Sequence, residues 1–499
     1  MPRSLGGRPS RRSIVRLPGA PWLLAGLTCL PVSGQQTFEP VKIGSVTFSG
    51  SIRTRIENWD WFTASSGDHA YTYDGSTIRF GLSQMRPGLD WTAELEAPVL
   101  LNLPSNAVAP GTQGQLGQGA TYYLANDKQS NAAMLFPKQV FIRWKLPGSD
   151  FGTLQTGRFE FQDGGEVTAK DPTLNVLKRD RIQQRLLGPF GFTHVMRSFD
   201  GFHYVYNKPK INYTLIGATP TRGVFQVDGW GWMKVAFAYA SATGQVQKKA
   251  TTGEWRLFTI YYDDWRHIAK SDNRSAAVRA ADLANIRLIT YGAHYVQVTK
   301  TPVGTLDLLG EFALQGGAWG TLTQRSGMVD LEGGFQPKIF TRLNFWIRGG
   351  YYYGSGDKDP NDGKHGTFFQ LLPTARPYAQ FPFYDMMNNV DRFAMLTLRP
   401  HKRITFKTEE HMLRLASRND LWYAGGGAYQ PWTFGYQSRS GGGSGSLANL
   451  FGAGIDLTLN SHLSVSPYYG YAAGKSVIEA IYPKGRDGHL GFLELNYRF

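Results

Sequence analysis

The sequence predicts an all-β fold: a transmembrane antiparallel β-barrel of about eighteen strands, with short periplasmic turns and long extracellular loops. Three observations predict it. The final stretch, His489 to Phe499, alternates with a period of two. Phe499, Tyr497, Leu495, Leu493 and Gly491 fall on one face, and Arg498, Asn496 and Glu494 on the other. It ends on an aromatic residue, at the level where outer-membrane barrels carry aromatic girdles. Alternating runs of about ten residues or more, the length of a tilted membrane crossing, recur along the chain. The connections between these runs are short and long in turn, which neither a β-sandwich nor a propeller requires.

The chain opens on a secretory signal, residues 1 to 34. Arg3, Arg8, Arg11, Arg12 and Arg16 precede an apolar stretch, Leu17 to Val32, and Val32-Ser33-Gly34 offers a small-residue cleavage site. The paired Arg11-Arg12 reads as part of an ordinary basic leader rather than a twin-arginine signal. Cys29, the single cysteine, lies inside this segment, so disulfides and thiolate metal sites are excluded from residues 35–499. Those residues are expected to form one barrel domain. Outside the leader no apolar run is long enough for a membrane helix. Mean hydropathy is −0.31, but alternating strands hide a barrel from that measure. Removing the leader's arginines leaves 48 basic against 38 acidic residues. That excess fits an anionic partner, whether polysaccharide, lipopolysaccharide or nucleic acid. For an integral outer-membrane barrel the expected partners are an acidic polysaccharide or other anionic solute, outer-membrane lipid and lipopolysaccharide, and periplasmic export components, not nucleic acid.

Taken in order, strands are expected at 43–62, 71–86 and 88–101, followed by a long polar gap to 136. Strands 137–147 and 150–161 flank Pro147-Gly148, and a long gap follows at 162–196. Strands 197–208 and 210–219 flank Lys208-Pro209. Strands 230–241 and 254–264 flank 242–253, the one longish inner turn. The gap 265–285 includes a helix-compatible stretch, Ser275 to Leu283. Strands 286–299, 303–317, 325–337 and 340–353 precede a long gap, 354–389. Strands 390–400 and 402–416, a glycine-rich gap at 417–446, strands 447–459 and 461–474, and the terminal strand complete the set.

The period of two assigns faces. Leu343, Phe345, Ile347 and Tyr351, or Phe451, Ala453, Ile455 and Leu457, suit lipid. A charge on the lipid face costs about 2–4 kcal/mol near the midplane, so register is strongly held. The opposite sets place Arg53, Arg55, Glu57, Arg79, Glu94, Glu96, Arg143, Arg158, Glu160, Asp307, Glu311, Asp330, Glu332, Arg342, Arg348 and Asp456 in the lumen. Arg197 and Asp200, at the start of the sixth strand, join the pore-lining set. Two readings follow: a balanced, water-filled lumen in which these charges pair, or arginines from several strands converging on an anion-selecting constriction.

Several motifs carry a resemblance: Arg53-Thr54-Arg55-Ile56-Glu57, Gly157-Arg158-Phe159-Glu160 and Arg197-Ser198-Phe199-Asp200-Gly201, then Gly356 to Gly363 with Gly366-Thr367-Phe368, then His411 to Leu415 with Asp420-Leu421-Trp422-Tyr423. In this order the chain resembles the bacterial alginate-export outer-membrane porin family over most of residues 35–499. The resemblance implies an eighteen-stranded barrel whose basic, arginine-lined pore exports an acidic, alginate-like polysaccharide without hydrolysing it. The alternatives are a general or small-solute diffusion porin and, in another class, a barrel enzyme such as an outer-membrane lipase or protease.

No catalytic, metal or cofactor site is expected. Asp357, Asp359 and Asn361 open like a calcium loop, but the glycine comes one place late at Gly363 and Phe368 replaces the closing glutamate. A polar turn explains them. His194, Ser198 and Asp200 lack a nucleophile elbow. Gly441 to Ser446 lacks the Lys-Ser/Thr of a phosphate loop. Lys178 to Leu187 could form a basic helix folding into the mouth, although most such loops are surface decoration.

Overall fold

Alternating side chains leave a strand one stable arrangement in a membrane: apolar set outward, polar set inward, and no free backbone edge. The computed structural model, which describes residues 41–146, 152–373, 379–425, 427–434 and 438–499, has this arrangement. Eighteen antiparallel strands close into one barrel. They are β1 Val46–Asp60, β2 Ala70–Met85, β3 Leu89–Leu101, β4 Phe136–Lys145, β5 Gly152–Phe159 and β6 Phe199–Asn207. Then come β7 Ile211–Pro220, β8 Val235–Gln247, β9 Thr251–Asp264, β10 Ile286–Lys300, β11 Gly304–Trp319 and β12 Leu322–Pro337. The last six are β13 Trp346–Gly354, β14 Asn389–His401, β15 Ile404–Leu415, β16 Ser446–Thr458, β17 Leu463–Gly474 and β18 Asp487–Arg498.

Each strand pairs with the next, and β18 closes on β1 with Arg55 opposite Glu494 and Ser51 opposite Arg498. Phe499 extends this seam. Its backbone exchanges hydrogen bonds with Gly50 at 2.8 and 3.0 Å, and its ring meets Phe48 at 5.9 Å and Phe80 at 6.2 Å. A Cβ on Gly50 would lie 2.2 Å from that ring, so the seam requires glycine there.

The facing is clear on β11. Leu306, Leu308, Phe312 and Leu314 are exposed to the lipid side, while Asp307, Leu309, Glu311 and Ala313 are buried inside. A one-residue slip would exchange these sets. Toward the long-loop end, Arg392, Glu410 and Arg414 face outward, near where headgroups begin.

Several expectations are corrected. The inner turn at 242–253 is only 248–250, because β8 and β9 continue toward each other. Ala242 to Gln247 keep the pleat and pair as far as Gln247 with Thr252. The strand expected from 340 begins at Trp346, so Arg342 and Leu343 lie exposed in the turn that follows Pro337 and not in the wall. The predicted leader, residues 1–34, and the turn residues Pro147-Gly148 lie outside the described residues.

The long loops all emerge at one end, where aromatic rings knit them together. Trp61 meets Phe62 at 5.1 Å, Phe62 meets Phe383 at 5.8 Å, and Phe381 meets Phe383 at 5.1 Å. Such contacts contribute about 0.5–1.5 kcal/mol each beyond area burial. The expected helix in 265–285 is present as Ala276–Ala281, capped by Ser275, whose hydroxyl accepts from the Val278 N–H.

Replacing Gly50 with leucine should lower the yield of heat-modifiable barrel in the outer membrane. Adding Phe499→Ala to that variant should restore part of it, since the ring and the new side chain compete for one space. Normal assembly of the Gly50→Leu chain would contradict this account of the seam.

Candidate functional site

The lumen is crossed by the loop between β5 and β6, residues 160–198. Asp171 accepts from the Leu174 N–H at 3.0 Å and Pro172 follows it, so a short helix starts there, Pro172–Leu177. A π-turn, Lys178–Ile182, continues it. The widened turn directs basic side chains at the inner wall formed by β9 to β13. Lys178 Nζ is 2.6 Å from Glu254, and Arg181 is 2.9 Å from Glu332. Arg185 reaches Asp330 at 2.7 Å and Glu311 at 3.2 Å. From the wall itself, Arg348 pairs with Asp307 and, at 2.6 Å, with Glu332. Arg256 turns back to the loop's Asp163 and Glu166 at 3.5 and 3.4 Å. All these side chains are buried. The basic segment Lys178 to Leu187 is therefore the counter-charge of an acidic wall.

The same loop then reaches the opposite wall, β1, β2 and β18. Arg53 donates from Nη1 to the Gly191 carbonyl at 2.6 Å and from Nη2 to the Thr193 carbonyl. Arg55 is held by Glu57 at 2.6 Å and Glu494 at 3.2 Å, and stacks 3.7 Å from the Phe192 ring centroid. His194 Nε2 sits 3.0 Å from Glu57. Burial, helped by the Arg55 charge, pulls the His194 pKa down to about 4, so the ring is neutral at pH 7. A Cβ on Gly75 would meet the His194 ring at 2.3 Å, so glycine at that wall position admits the loop.

Beneath the crossing loop lies a cavity of about 410 Å³. Its charged lining is Arg53, Arg55, Arg179 and Lys407 against Asp180, Glu409, Asp456 and Glu494. Lys407 pairs with Asp456 at 3.4 Å and Arg179 with Asp180 at 2.5 Å. Gln183, Gln184, Phe192, Tyr468 and Phe492 add amide and aromatic surface. The cavity reaches Lys407, Asp456 and Ser466, within a few residues of the short-turn ends of their strands.

Of the residues chosen from sequence, Arg53, Arg55, Glu57, Arg79, Glu160, Arg197 and Arg348 are inside the barrel, but most of them hold its structure. Arg79 bridges Glu96 at 2.7 Å and Glu160 at 3.0 Å. Arg197 is fully buried, donates to the Ala428 carbonyl at 2.8 Å, and burial pulls its pKa down to about 10. Arg143 faces inward near the short-turn end and donates twice to Gln155.

Arg158 and Asp200 are corrections. They pair bidentately at 2.7 Å, but Arg158 is opposite lipid-facing Val140 and both therefore point outward. Gly157, with φ +121°, precedes Arg158, and the β6–β7 register puts Asp200 on the same outward face as exposed Phe202. The loop 221–234 covers the pair: Gly229 and Trp230 carbonyls accept from Arg158, and Trp232 Nε1 donates to Asp200. Arg342 is excluded from the lumen by its place in a turn.

The sequence reading missed the cavity's contributions from Arg179, Asp180, Lys407, Glu409 and Glu494. Alternation along β15 and β18 already places the last three inward. The first two belong to a loop, where no periodicity assigns a face.

The sequence model of the alginate-export family matches residues 180–476. The chain belongs to the alginate-export family. That match includes the lumen-facing part of the crossing loop from Asp180 on and the whole wall from β6 to β17. No curated protein matches the sequence. The barrel is similar to solved outer-membrane proteins at low identity. OpdK of Pseudomonas aeruginosa is 10% identical, with 91% of this chain and 98% of that one covered and a TM-score of 0.53. OccAB2 of Acinetobacter baumannii is 10% identical over 92% and 99%, with a TM-score of 0.55. Fold and family are those of outer-membrane channels.

Removing one partner of a buried ion pair strands the other, at about 3–5 kcal/mol. Arg181→Ala with Arg185→Ala should therefore undock the loop and raise single-channel conductance, while closure between β1 and β18 keeps the barrel heat-modifiable. Unchanged conductance in a folded double variant would show that the loop does not limit the pore.

Proposed function

We propose that the barrel is a channel for an anionic solute, an acidic polysaccharide of the alginate type, moving through the lumen past arginines that make no salt bridge among the described residues. The observation that carries this reading is the arrangement of Arg143, Arg53 and Arg197. All three point into the lumen, and none has a carboxylate within salt-bridge distance among the described residues. Arg143 lies near the short-turn end of β4, Arg53 in the middle of β1, and Arg197 just before the long-loop end of β6. They make three steps along the pore axis.

Each guanidinium can hold a carboxylate through paired N–H donors. A polymer moves only if each contact is weak and another waits beyond it. Carbonyl partners on Arg53 and Arg197 meet that need, because carbonyl oxygens occupy donors without cancelling the charge. The aromatic faces of Phe192, Tyr468 and Phe492 beside Arg53 suit the apolar faces of sugar rings.

The second reading is a porin for small carboxylates. It is favoured by likeness to OpdK, one of whose structures contains vanillate, and by a cavity of about 410 Å³, the size of a small-ligand site. The same arginines would serve it.

Oligouronates of increasing length separate the two. The polysaccharide channel should show residence times that grow with oligomer length until the oligomer spans Arg143 to Arg197. Arg53→Gln with Arg143→Gln should shorten them about tenfold for a loss near 1.4 kcal/mol. Residence times independent of length, with monomers blocking as well as decamers, would leave the small-solute porin.

A further inference from the structure

One quarter of the barrel's exterior, β12 to β15 at the long-loop end, carries cations that nothing in the chain neutralises. Arg392 on β14 and Arg414 on β15 point outward and are exposed, and neither makes an ion pair among the described residues. Arg325 on β12 and Arg418, in the loop after β15, are exposed and equally unpaired among the described residues. Two other outward arginines at this end have acids: Arg158 has Asp200 at 2.7 Å, and Arg287 on β10 has Asp263 at 3.4 Å.

The strand register sets these side chains in rows across the lipid face. Leu331, Tyr351, Arg392 and Met412 stand opposite one another. The row nearer the loops is Val329, Tyr353, Val390 and Arg414, and the row nearer the midplane is Gly333, Gly349, Ala394 and Glu410. Arg392 is thus diagonal to both Arg414 and Glu410. Diagonal neighbours in an antiparallel pair are about 7–8 Å apart, so these three side chains can meet one headgroup.

A shallow groove of about 370 Å³ lies at this place, and its lining includes Tyr351, Arg392, Ala394, Glu410 and Met412. Beside and below it, Phe451 and Ile347 are exposed toward lipid. The outward tyrosines 351 and 353 mark the interface level, where a charge on the lipid face costs least. Cations therefore stand above an apolar surface, with one carboxylate between them.

We propose that this groove docks the phosphorylated glycolipid of the outer leaflet, with Arg392 and Arg414 on its phosphates, Glu410 accepting from a sugar hydroxyl or amide N–H, and acyl chains on Phe451 and Ile347. Guanidinium forks match phosphate oxygens two at a time. Arg325 and Arg418 extend the positive charge beyond what a headgroup with one phosphate would meet, which favours the glycolipid over a phospholipid. A soluble polyanion would leave the apolar half of the site unmatched. A second copy docked symmetrically would set this cationic patch against itself. The site lies outside the lumen, and the proposal is independent of which solute passes through.

The test is native mass spectrometry of the full-length barrel, stripped of lipid in detergent and titrated with one lipid at a time. Bisphosphorylated lipid A should stay bound when detergent is removed in the gas phase. Arg392→Gln with Arg414→Gln should weaken its binding at least about tenfold. Arg287→Gln, at the same end of the barrel, should leave it unchanged. Lipid A without phosphates should bind the native chain and the double variant alike. Single-channel conductance and heat-modifiable migration of the double variant should match the native chain, because both side chains lie outside the pore.

Equal binding of bisphosphorylated lipid A by a folded double variant would overturn the site. Phosphatidylglycerol held as tightly as lipid A would assign the arginines to anionic headgroups in general and overturn the glycolipid. Dimers that retain no lipid and are lost in the double variant would assign the face to a second copy and likewise overturn it. The channel reading, which rests on lumen residues, would survive each of these results.

Discussion

Buried charge must be paired, and this requirement shapes the interior of the barrel. The inward positions of β9 to β12 hold Glu254, Asp307, Glu311, Asp330 and Glu332. Two wall arginines, Arg256 and Arg348, offset part of that charge. Lys178, Arg181 and Arg185 of the crossing loop supply the remainder. The desolvation of each ion is several kcal/mol, so wall and loop are stable against each other and costly apart. From that anchor the loop continues to β1, where Gly191 and Thr193 offer carbonyls to Arg53 and where Phe192 covers Arg55. The cavity beneath the loop exists because the loop is fixed at both walls.

The barrel was legible in the sequence because a membrane enforces a period of two on every strand. All eighteen strands were identified, and the errors fall where periodicity gives no information. Residues 242–247 are small and mixed, so β8 read as shorter than it is. Leu343 and Phe345 alternate correctly, yet the chain there is a turn, and Arg342 was drawn into the wall with them. Arg158 failed for another reason. Its parity is outward, and an apolar covering with an acid partner makes the arginine tolerable there. Trp230, Trp232 and Asp200 provide these, from segments that strand periodicity does not link. The crossing loop was legible only as a basic stretch. That its charges answer an acidic wall requires knowing which strands stand opposite one another across the lumen.

Most arginines chosen as selectivity residues are structural instead. Arg55, Arg79 and Arg348 are each bound by two or more carboxylates, and their charge is spent within the protein. Arg143, Arg53 and Arg197 make no salt bridge among the described residues, and the last is buried under the Ala428 carbonyl. A polymer longer than the cavity must displace that cover. The lumen therefore combines a lower cavity, reaching toward the short turns, with an upper closure made of loops held by aromatic contacts and carbonyl–guanidinium bonds, weaker than the ion pairs that fix the crossing loop to its wall.

The proposed function turns on whether arginines without a salt-bridged carboxylate, above all Arg53 and Arg143, make the lumen prefer anions. The reversal potential of single reconstituted channels in a tenfold KCl gradient at pH 7 measures this directly. The account predicts a potential on the chloride side, reduced when Arg53 and Arg143 become glutamine and retained when Arg158 does. A potential of zero or on the potassium side in the native chain, or loss of chloride preference on changing Arg158 alone, would contradict it.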